Sequence, residues 1–136
     1  MKRLRIVLDT NVIISGILFG GIPRSILDML ISGRHDFFLS LPIIEEIQEV
    51  LNRPKFGFDN GNALLVIEEL HSLCAIVRPA KSINLIKEDP ADNKILECAV
   101  EADAEIIISG DSHLLSLVSY KSIKILSPRQ FIDAHS

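Results

Sequence analysis

The sequence predicts an α/β fold, a three-layer α/β/α sandwich around a central, mostly parallel sheet of five strands. Residues 4–8 (LRIVL) and 105–109 (EIIIS) are mainly apolar and lack the alternation of a half-exposed strand, which is typical of strands covered on both faces. Predicted strands alternate with helices, which favours right-handed crossovers and parallel pairing. Of the 136 residues, 48% are hydrophobic and 5% aromatic, so the core is expected to be aliphatic. The length fits one domain, residues 1–136.

The first half of the chain is predicted from caps, glycines and prolines. A helix at 11–18, capped by Thr10 or Asn11, ends at Gly20-Gly21. A second helix begins at Pro23, because proline suits the first turn, and ends at Gly33. Residues 36–40 then form a short strand. A third helix begins at Pro42, carries a stripe of apolar side chains and ends at Asn52-Arg53-Pro54.

The second half repeats this alternation. The predicted elements are, in order, helix 62–73, strand 75–77, a helix opened by Asp89-Pro90, strand 105–109, a short helix at 113–118, strand 123–126 and a final helix from Pro128. In the helix opened by Asp89-Pro90, Asp89 is expected to be the N-cap. The pattern contains no internal repeat or linker.

Charge and cysteine usage exclude several classes of protein. A net charge of −4 argues against a broad basic face that grips nucleic acid, but leaves room for a local site. Cys74 and Cys98 are isolated and lie in apolar contexts, as expected for reduced core thiols of a cytoplasmic protein. No segment approaches the roughly twenty unbroken apolar residues of a membrane-spanning helix, and Asp9 and Asn11 interrupt the only stretch that resembles a secretion signal.

Four acids occupy positions that can face one crevice. Asp9 and Asp111 each follow a buried strand, at the end where open α/β sheets bind ligands. Glu46 and Asp92 extend the apolar stripes of two helices, whereas Glu45 faces water. Each acid has a simpler alternative on its own: Asp111 would cap the short helix at 113–118, and Asp92 would be a capping-box acid.

Together the four acids predict a metal site. Close carboxylates repel one another, and so remain ionised at low cost only when cations neutralise them. Because all four offer oxygen, Mg²⁺ or Mn²⁺ is favoured over zinc. Such ions activate water and stabilise the leaving oxygen in phosphoryl chemistry. The hydroxyls of Ser109 and Thr10 and the amide of Asn11 are candidates for supporting roles.

These motifs resemble the PIN-domain family of metal-dependent ribonucleases, particularly its toxin-like bacterial and archaeal branch. The resemblance covers essentially the whole chain and rests on four segments in order: LDTNV at 8–12, EEI at 45–47, DPADNKI at 89–95 and ISGD at 108–111. It implies a PIN-like fold in which the metal is bound by Asp9, Glu46, Asp92 and Asp111, supported by Ser109 and Asn11. It also implies products with a 3′-hydroxyl and a 5′-phosphate.

Two further features bear on the substrate. The loop at 52–61 interleaves Arg53 and Lys55 with two phenylalanines, a mixture that can hold phosphates and stack bases. The alternative is that the rings close the preceding helix and the cations are solvated. His113 stands where many relatives have an acid; it would weaken a second metal position, place a cation near phosphate, or be a surface helix residue.

The leading functional hypothesis is a metal-dependent endoribonuclease, the toxin of a toxin-antitoxin pair. Its expected partners are RNA and an antitoxin protein, and the acidic charge is consistent with a homodimer whose groove grips RNA. One alternative is a haloacid-dehalogenase-like phosphatase, although Asn11 stands where that chemistry needs an acid. The other is a PIN-like binding module without turnover, which the presence of all four acids disfavours.

Overall fold

The computed structural model describes residues 2–57, 59–87 and 90–135, and its strands form one sheet in the order β3-β2-β1-β4-β6-β5. The strands are β1 (Arg5–Leu8), β2 (Asp36–Ser40), β3 (Ala75–Val77), β4 (Ile106–Ile108), β5 (Ser119–Tyr120) and β6 (Ile123–Leu126). All neighbouring pairs are parallel except β5 and β6. The predicted α/β class with a mostly parallel central sheet is confirmed.

The sheet has six strands rather than the predicted five. The additional strand, β5, has two residues and pairs antiparallel with β6, Ser119 opposite Lys124 and Tyr120 opposite Ile123. Lys121 adopts a left-handed conformation (φ 56°) in the turn between them. Two residues show no periodicity, which is why the sequence pattern did not predict this strand.

Helices flank the sheet. Within the described residues they are α1 (Thr10–Leu18), α2 (Gly21–Ser32), α3 (Leu41–Leu51), α4 (Asn60–Leu73), α5 (Asn93–Glu101), α6 (Ser112–Ser116) and α7 (Pro128–His135). Short 3-10 turns lie at Pro54–Phe56 and Pro90–Asp92. The predicted cap of α1 is wrong: Asp9, not Thr10 or Asn11, is its N-cap. The predicted cap Asp89 lies outside the described residues.

The two central strands lie at the point where the direction of chain winding reverses. From β1 the chain proceeds to β2 and β3 on one side, then returns to β4 and β6 on the other. Val7 and Ile107 are paired at the centre of this junction, and both are fully buried. Right-handed crossovers that run in opposite directions from β1 place helices on both faces of the sheet. In open α/β sheets, ligands usually bind in the crevice at such a point, which here lies at the carboxyl ends of β1 and β4.

An irregular segment lies along α5 and is held by three side chains of that helix. The backbone N–H of Ala80 donates to Glu101 (2.9 Å), and that of Ile83 donates to Glu97 (2.8 Å). At the other end, Asn93 accepts from the N–H of Ile86 at 2.9 Å and donates to its carbonyl at 2.8 Å. Backbone groups of this segment, residues 80–86, therefore find their hydrogen-bond partners in side chains of α5 rather than in a neighbouring strand.

The two cysteines are buried and free. Burial raises the pKa of the Cys74 thiol to about 12, and burial likewise raises that of Cys98 to about 12. At such values the thiolate is scarcely populated at neutral pH, so both behave as small apolar side chains.

None of the described helices alone combines the length and apolar character that crossing a membrane requires. The helices α1 and α2 meet that requirement only as a pair, and the chain bends by 103° between them.

His35 is a buried histidine (5% exposed) at the amino end of the sheet. Its Nδ1 accepts a hydrogen bond from the backbone N–H of Leu4 at 3.1 Å, which requires the neutral ring. Burial lowers its pKa, helped by the positive charges of Arg34, His135 and Arg3 and opposed by Asp36. The folded protein therefore disfavours the imidazolium.

We expect the free energy of unfolding to fall on mild acidification because of His35. A histidine pKa lowered in the folded state means that the unfolded chain binds more protons, so this contribution is complete above the unfolded pKa of about 6.5 and declines below it. Urea unfolding at pH 7.5 and pH 5.5 measures this difference. His35→Gln should reduce the loss between the two pH values, and an unchanged loss would contradict the assignment.

Candidate metal centre

Asp9 lies directly after β1 and is held by two hydrogen bonds. It is 4% exposed. The Ser109 hydroxyl donates to its Oδ2 at 2.6 Å, and the backbone N–H of Asn11 donates to its Oδ1 at 3.5 Å. Ser109 is fully buried beyond the end of β4, so it joins the ends of the two central strands. Asn11 contributes its backbone here, and its side chain is exposed.

The electrostatics of Asp9 show that other acids face the same space. Burial is the main cause that raises its pKa, and the negative charges of Asp111 and Glu46 raise it further. The hydrogen bonds from Ser109 and Asn11 oppose this shift without overcoming it. An acid buried beside like charges is costly to ionise unless a cation is present.

Asp111 follows β4 at the same edge of the sheet. Its Oδ1 accepts from the N–H groups of His113 (2.8 Å) and Leu114 (3.1 Å), so it is the N-cap of α6. Burial alone would raise its pKa, but a hydrogen bond with Asp92, these two N–H groups and the charge of His113 together lower it. Capping fixes the carboxylate without turning it away from Asp92.

Asp92 is 7% exposed and ends the 3-10 turn that precedes α5. Its side chain makes no N-cap hydrogen bond to α5, and the alternative that it answers Asp89 in a capping box involves a residue outside the described part of the chain. It is also hydrogen bonded to the side chain of Asp111. Two carboxyl groups this close share a proton or a cation.

Glu46 reaches the site from α3 and is half-buried, whereas Glu45 is exposed, as predicted. Thr10 donates its hydroxyl to Glu46 Oε1 at 2.7 Å, and Lys94 Nζ lies 3.8 Å from Oε2. Sequence reasoning missed Lys94. The one feature of the sequence that could have indicated Lys94 is its position two residues after Asp92 in the DPADNKI segment, in the first turn of α5.

A polar recess of about 280 Å³ opens beside Glu46. It is lined by Pro42, Glu45, Glu46, Glu49, Arg53 and Lys94. Of the two predicted RNA contacts, Arg53 therefore lies beside the acids, whereas Lys55 does not line the recess and sits 5.0 Å from the Phe56 ring centroid. Phe56 packs edge-to-face on Phe19, and Phe58 lies outside the described residues.

His113 is not a plain surface residue. Its side chain is 43% exposed, yet Nδ1 is buried and lies 3.8 Å from Asp111 Oδ1 and 3.9 Å from Asp92 Oδ2. One ligand atom from each of these three residues lies within 4.8 Å of the other two. The sequence suggested this residue only as a departure from the family pattern.

The donor set fits a divalent cation. Asp92 and Asp111 offer oxygens within 4.8 Å of each other and of a nitrogen of His113. Asp9 follows the neighbouring strand, where the charges of Asp111 and Glu46 act on it. Burial, and to a smaller extent the charges of Asp111 and Glu46, raise the pKa of Asp9, so its ionised form is costly without a nearby positive charge. Carboxylate oxygens are the ligands that hard divalent ions prefer.

Comparisons with known proteins agree with this architecture. A family model described as a PIN domain matches residues 5–113. Among solved structures, FitAcB from Neisseria gonorrhoeae is similar, with 18% sequence identity, a TM-score of 0.53 and coverage of 91% of this chain and 98% of that chain. The RRP44 PIN domain of T. brucei has 14% identity, a TM-score of 0.51 and coverage of 98% and 81%, respectively. At these identities the two structures show a shared fold. No curated protein matches the chain.

Proposed function

The chain belongs to the PIN-domain family, and we propose on that basis that it is an endoribonuclease that hydrolyses RNA phosphodiester bonds with Mg²⁺ or Mn²⁺. The observation that carries the proposal is geometric: Asp92 and Asp111 offer oxygens within 4.8 Å of each other and of His113, beside the strand that precedes the buried Asp9. Such a buried acidic cluster is expensive for the protein alone and becomes favourable with a bound cation.

The residues would divide the work as follows. Asp9, Asp92 and Asp111 would hold the ion, with Glu46 beside them, and a bound divalent ion supplies activation of water and stabilisation of the leaving oxygen. Ser109 fixes the rotamer of Asp9 through its 2.6 Å hydrogen bond, and Thr10 fixes Glu46 through its 2.7 Å hydrogen bond.

The recess beside Glu46 would receive the RNA backbone. Lys94 and Arg53 bring two positive charges to its wall, against the negative charges of Glu45, Glu46 and Glu49. Cations at this place attract phosphate and fix its orientation relative to the acids. Lys55, which is outside the recess, would contribute only to a longer substrate.

The biological setting proposed from the family resemblance is that of a cytoplasmic toxin restrained by an antitoxin protein. A homodimer would extend the short basic surface available to RNA, since the chain carries a net charge of −4. Residues 1–136 would form a single PIN-like nuclease domain.

A phosphatase of the haloacid-dehalogenase type is the less favoured function. That chemistry needs an acid two residues after the strand-end aspartate, and Asn11 occupies that place with its side chain exposed. A binding module without turnover is disfavoured by the packing of the acids, since Ser109 and Thr10 hold two of them in fixed orientations.

We expect cleavage of labelled single-stranded RNA in Mg²⁺ or Mn²⁺ and none in EDTA, because the acids lack their cation after chelation. Addition of excess Mn²⁺ should restore cleavage. Mapping of the ends should give 3′-hydroxyl and 5′-phosphate products. Hydrolysis of a small phosphomonoester in place of RNA would support the phosphatase. The absence of turnover on either substrate would contradict both enzymes and favour the binding module.

A further inference from the structure

His113 gives the site a nitrogen donor that the four acids do not provide. The imidazole is carried by α6, whose N-cap is Asp111, so the same turn positions both groups. Its Nδ1 is buried, and within the described residues it has no hydrogen-bond partner. A buried ring nitrogen without a partner is unfavourable, so an additional group at this position would stabilise it.

The distances around Nδ1 suit two ligands of one ion better than a hydrogen bond. The gaps of 3.8 Å to Asp111 Oδ1 and 3.9 Å to Asp92 Oδ2 exceed hydrogen-bond length. Two donors that each lie about 2.1 Å from a metal are separated by roughly 3.0–4.2 Å, depending on the angle between them. Both gaps fall in that interval.

We propose that His113 Nδ1 is a ligand of the metal held by Asp92 and Asp111, so that the site selects Mn²⁺ over Mg²⁺. Imidazole suits transition metals, whereas Mg²⁺ prefers a shell of oxygen donors. This inference rests on the proposed function for the presence of a metal. The four carboxylates alone leave open whether that metal is Mg²⁺ or Mn²⁺, and a nitrogen ligand favours Mn²⁺.

The test is electron spin-echo envelope modulation of Mn²⁺ bound to the full chain, which detects nitrogen coordinated to the ion. We expect a ¹⁴N coupling in the wild-type protein that disappears in His113→Gln. The matched control, His71→Gln, changes an exposed histidine on α4 and should keep the coupling. A melting curve by circular dichroism establishes that each variant is folded.

Calorimetric titration supplies a second measurement. His113→Gln should weaken Mn²⁺ binding by at least about 10-fold, since even outer-shell partners of metal ligands contribute 10–100-fold. Its Mg²⁺ affinity should change much less, and His113→Asp should favour Mg²⁺ relative to the wild type because it restores an all-oxygen shell.

The outcomes separate this inference from the proposed function. Bound Mn²⁺ without a ¹⁴N coupling, or with a coupling that persists in His113→Gln, would overturn the role of His113 and leave the acidic site intact. A coupling that is present in a protein unable to cleave RNA would overturn the ribonuclease and leave the ligand assignment. Failure to bind either Mn²⁺ or Mg²⁺ would overturn both.

Discussion

Asp9→Asn is expected to lower metal-dependent RNA cleavage by at least about 100-fold, the upper end of what weakened support of a metal ligand costs. The substitution removes one charge from the cluster that contains Asp111 and Glu46 while keeping an oxygen that accepts a hydrogen bond. Asparagine also caps helices well, so α1 should begin as before. Initial rates on labelled RNA in Mn²⁺ measure the effect.

The same variant should not lose stability in the absence of metal. The pKa of Asp9 is raised in the folded state, so its ionised form opposes folding at neutral pH, and the folded protein binds more protons than the unfolded chain as the pH falls. We therefore expect the metal-free melting temperature of Asp9→Asn to equal or exceed that of the wild type.

Two controls accompany Asp9→Asn: the effect of Mn²⁺ on the melting temperature, and a substitution of an acid far from the site. Mn²⁺ should raise the melting temperature of the wild type by binding the folded state, and this increase should be lost in Asp9→Asn. Asp133→Asn, an exposed change on α7, should leave both cleavage and the metal response unchanged. Retained cleavage in Asp9→Asn, or equal losses in both variants, would contradict the site.

Asn93→Leu is expected to cost about 2–6 kcal/mol of stability, from 1–3 kcal/mol for each buried group left unpaired. Asn93 is 5% exposed, and its amide satisfies both the N–H and the carbonyl of Ile86. Leucine has a similar volume but offers neither a donor nor an acceptor. Equilibrium unfolding in urea measures the difference.

Glu97→Gln is the matched control for Asn93→Leu. Glu97 accepts from the N–H of Ile83 in the same segment, and glutamine retains an oxygen for that bond. We expect a change within about 1 kcal/mol, as is usual for a substitution that keeps its partner. Comparable losses in the two variants would show that burial of the Asn93 amide is not what holds residues 80–86.

The fold was largely predictable because its signals are local. The strands β1 and β4 each contain three consecutive buried apolar residues, and such runs are typical of central parallel strands. Once these two strands are neighbours, the acids that follow them must lie at one edge. The placement of Asp9 beside Asp111 is therefore a consequence of topology that sequence pattern can anticipate.

The positions of Lys94, of residues 80–86 and of the His113 ring depend on tertiary contacts, which the periodicity of the sequence does not predict. The approach of Lys94 to Glu46 requires the relative placement of α5 and α3, which come from distant parts of the chain. Residues 80–86 are irregular, so neither a helical nor a strand pattern marks them. The position of His113 Nδ1 near Asp92 and Asp111 depends on how α6 is capped. That cap consists of individual hydrogen bonds, which a sequence pattern does not predict.

The pairing of β1 with β4 has a consequence for protein synthesis. The Ser109 hydroxyl and the Asp9 carboxylate are separated by 100 positions in the sequence. The hydrogen bond between them, and the pairing of β1 with β4, can form only after β4 has been synthesised. A nascent chain that includes β1, β2 and β3 but not yet β4 therefore has one wall of the crevice and not the other. The nuclease proposed above would therefore remain inactive on the ribosome until residues 109–113 have emerged from the exit tunnel.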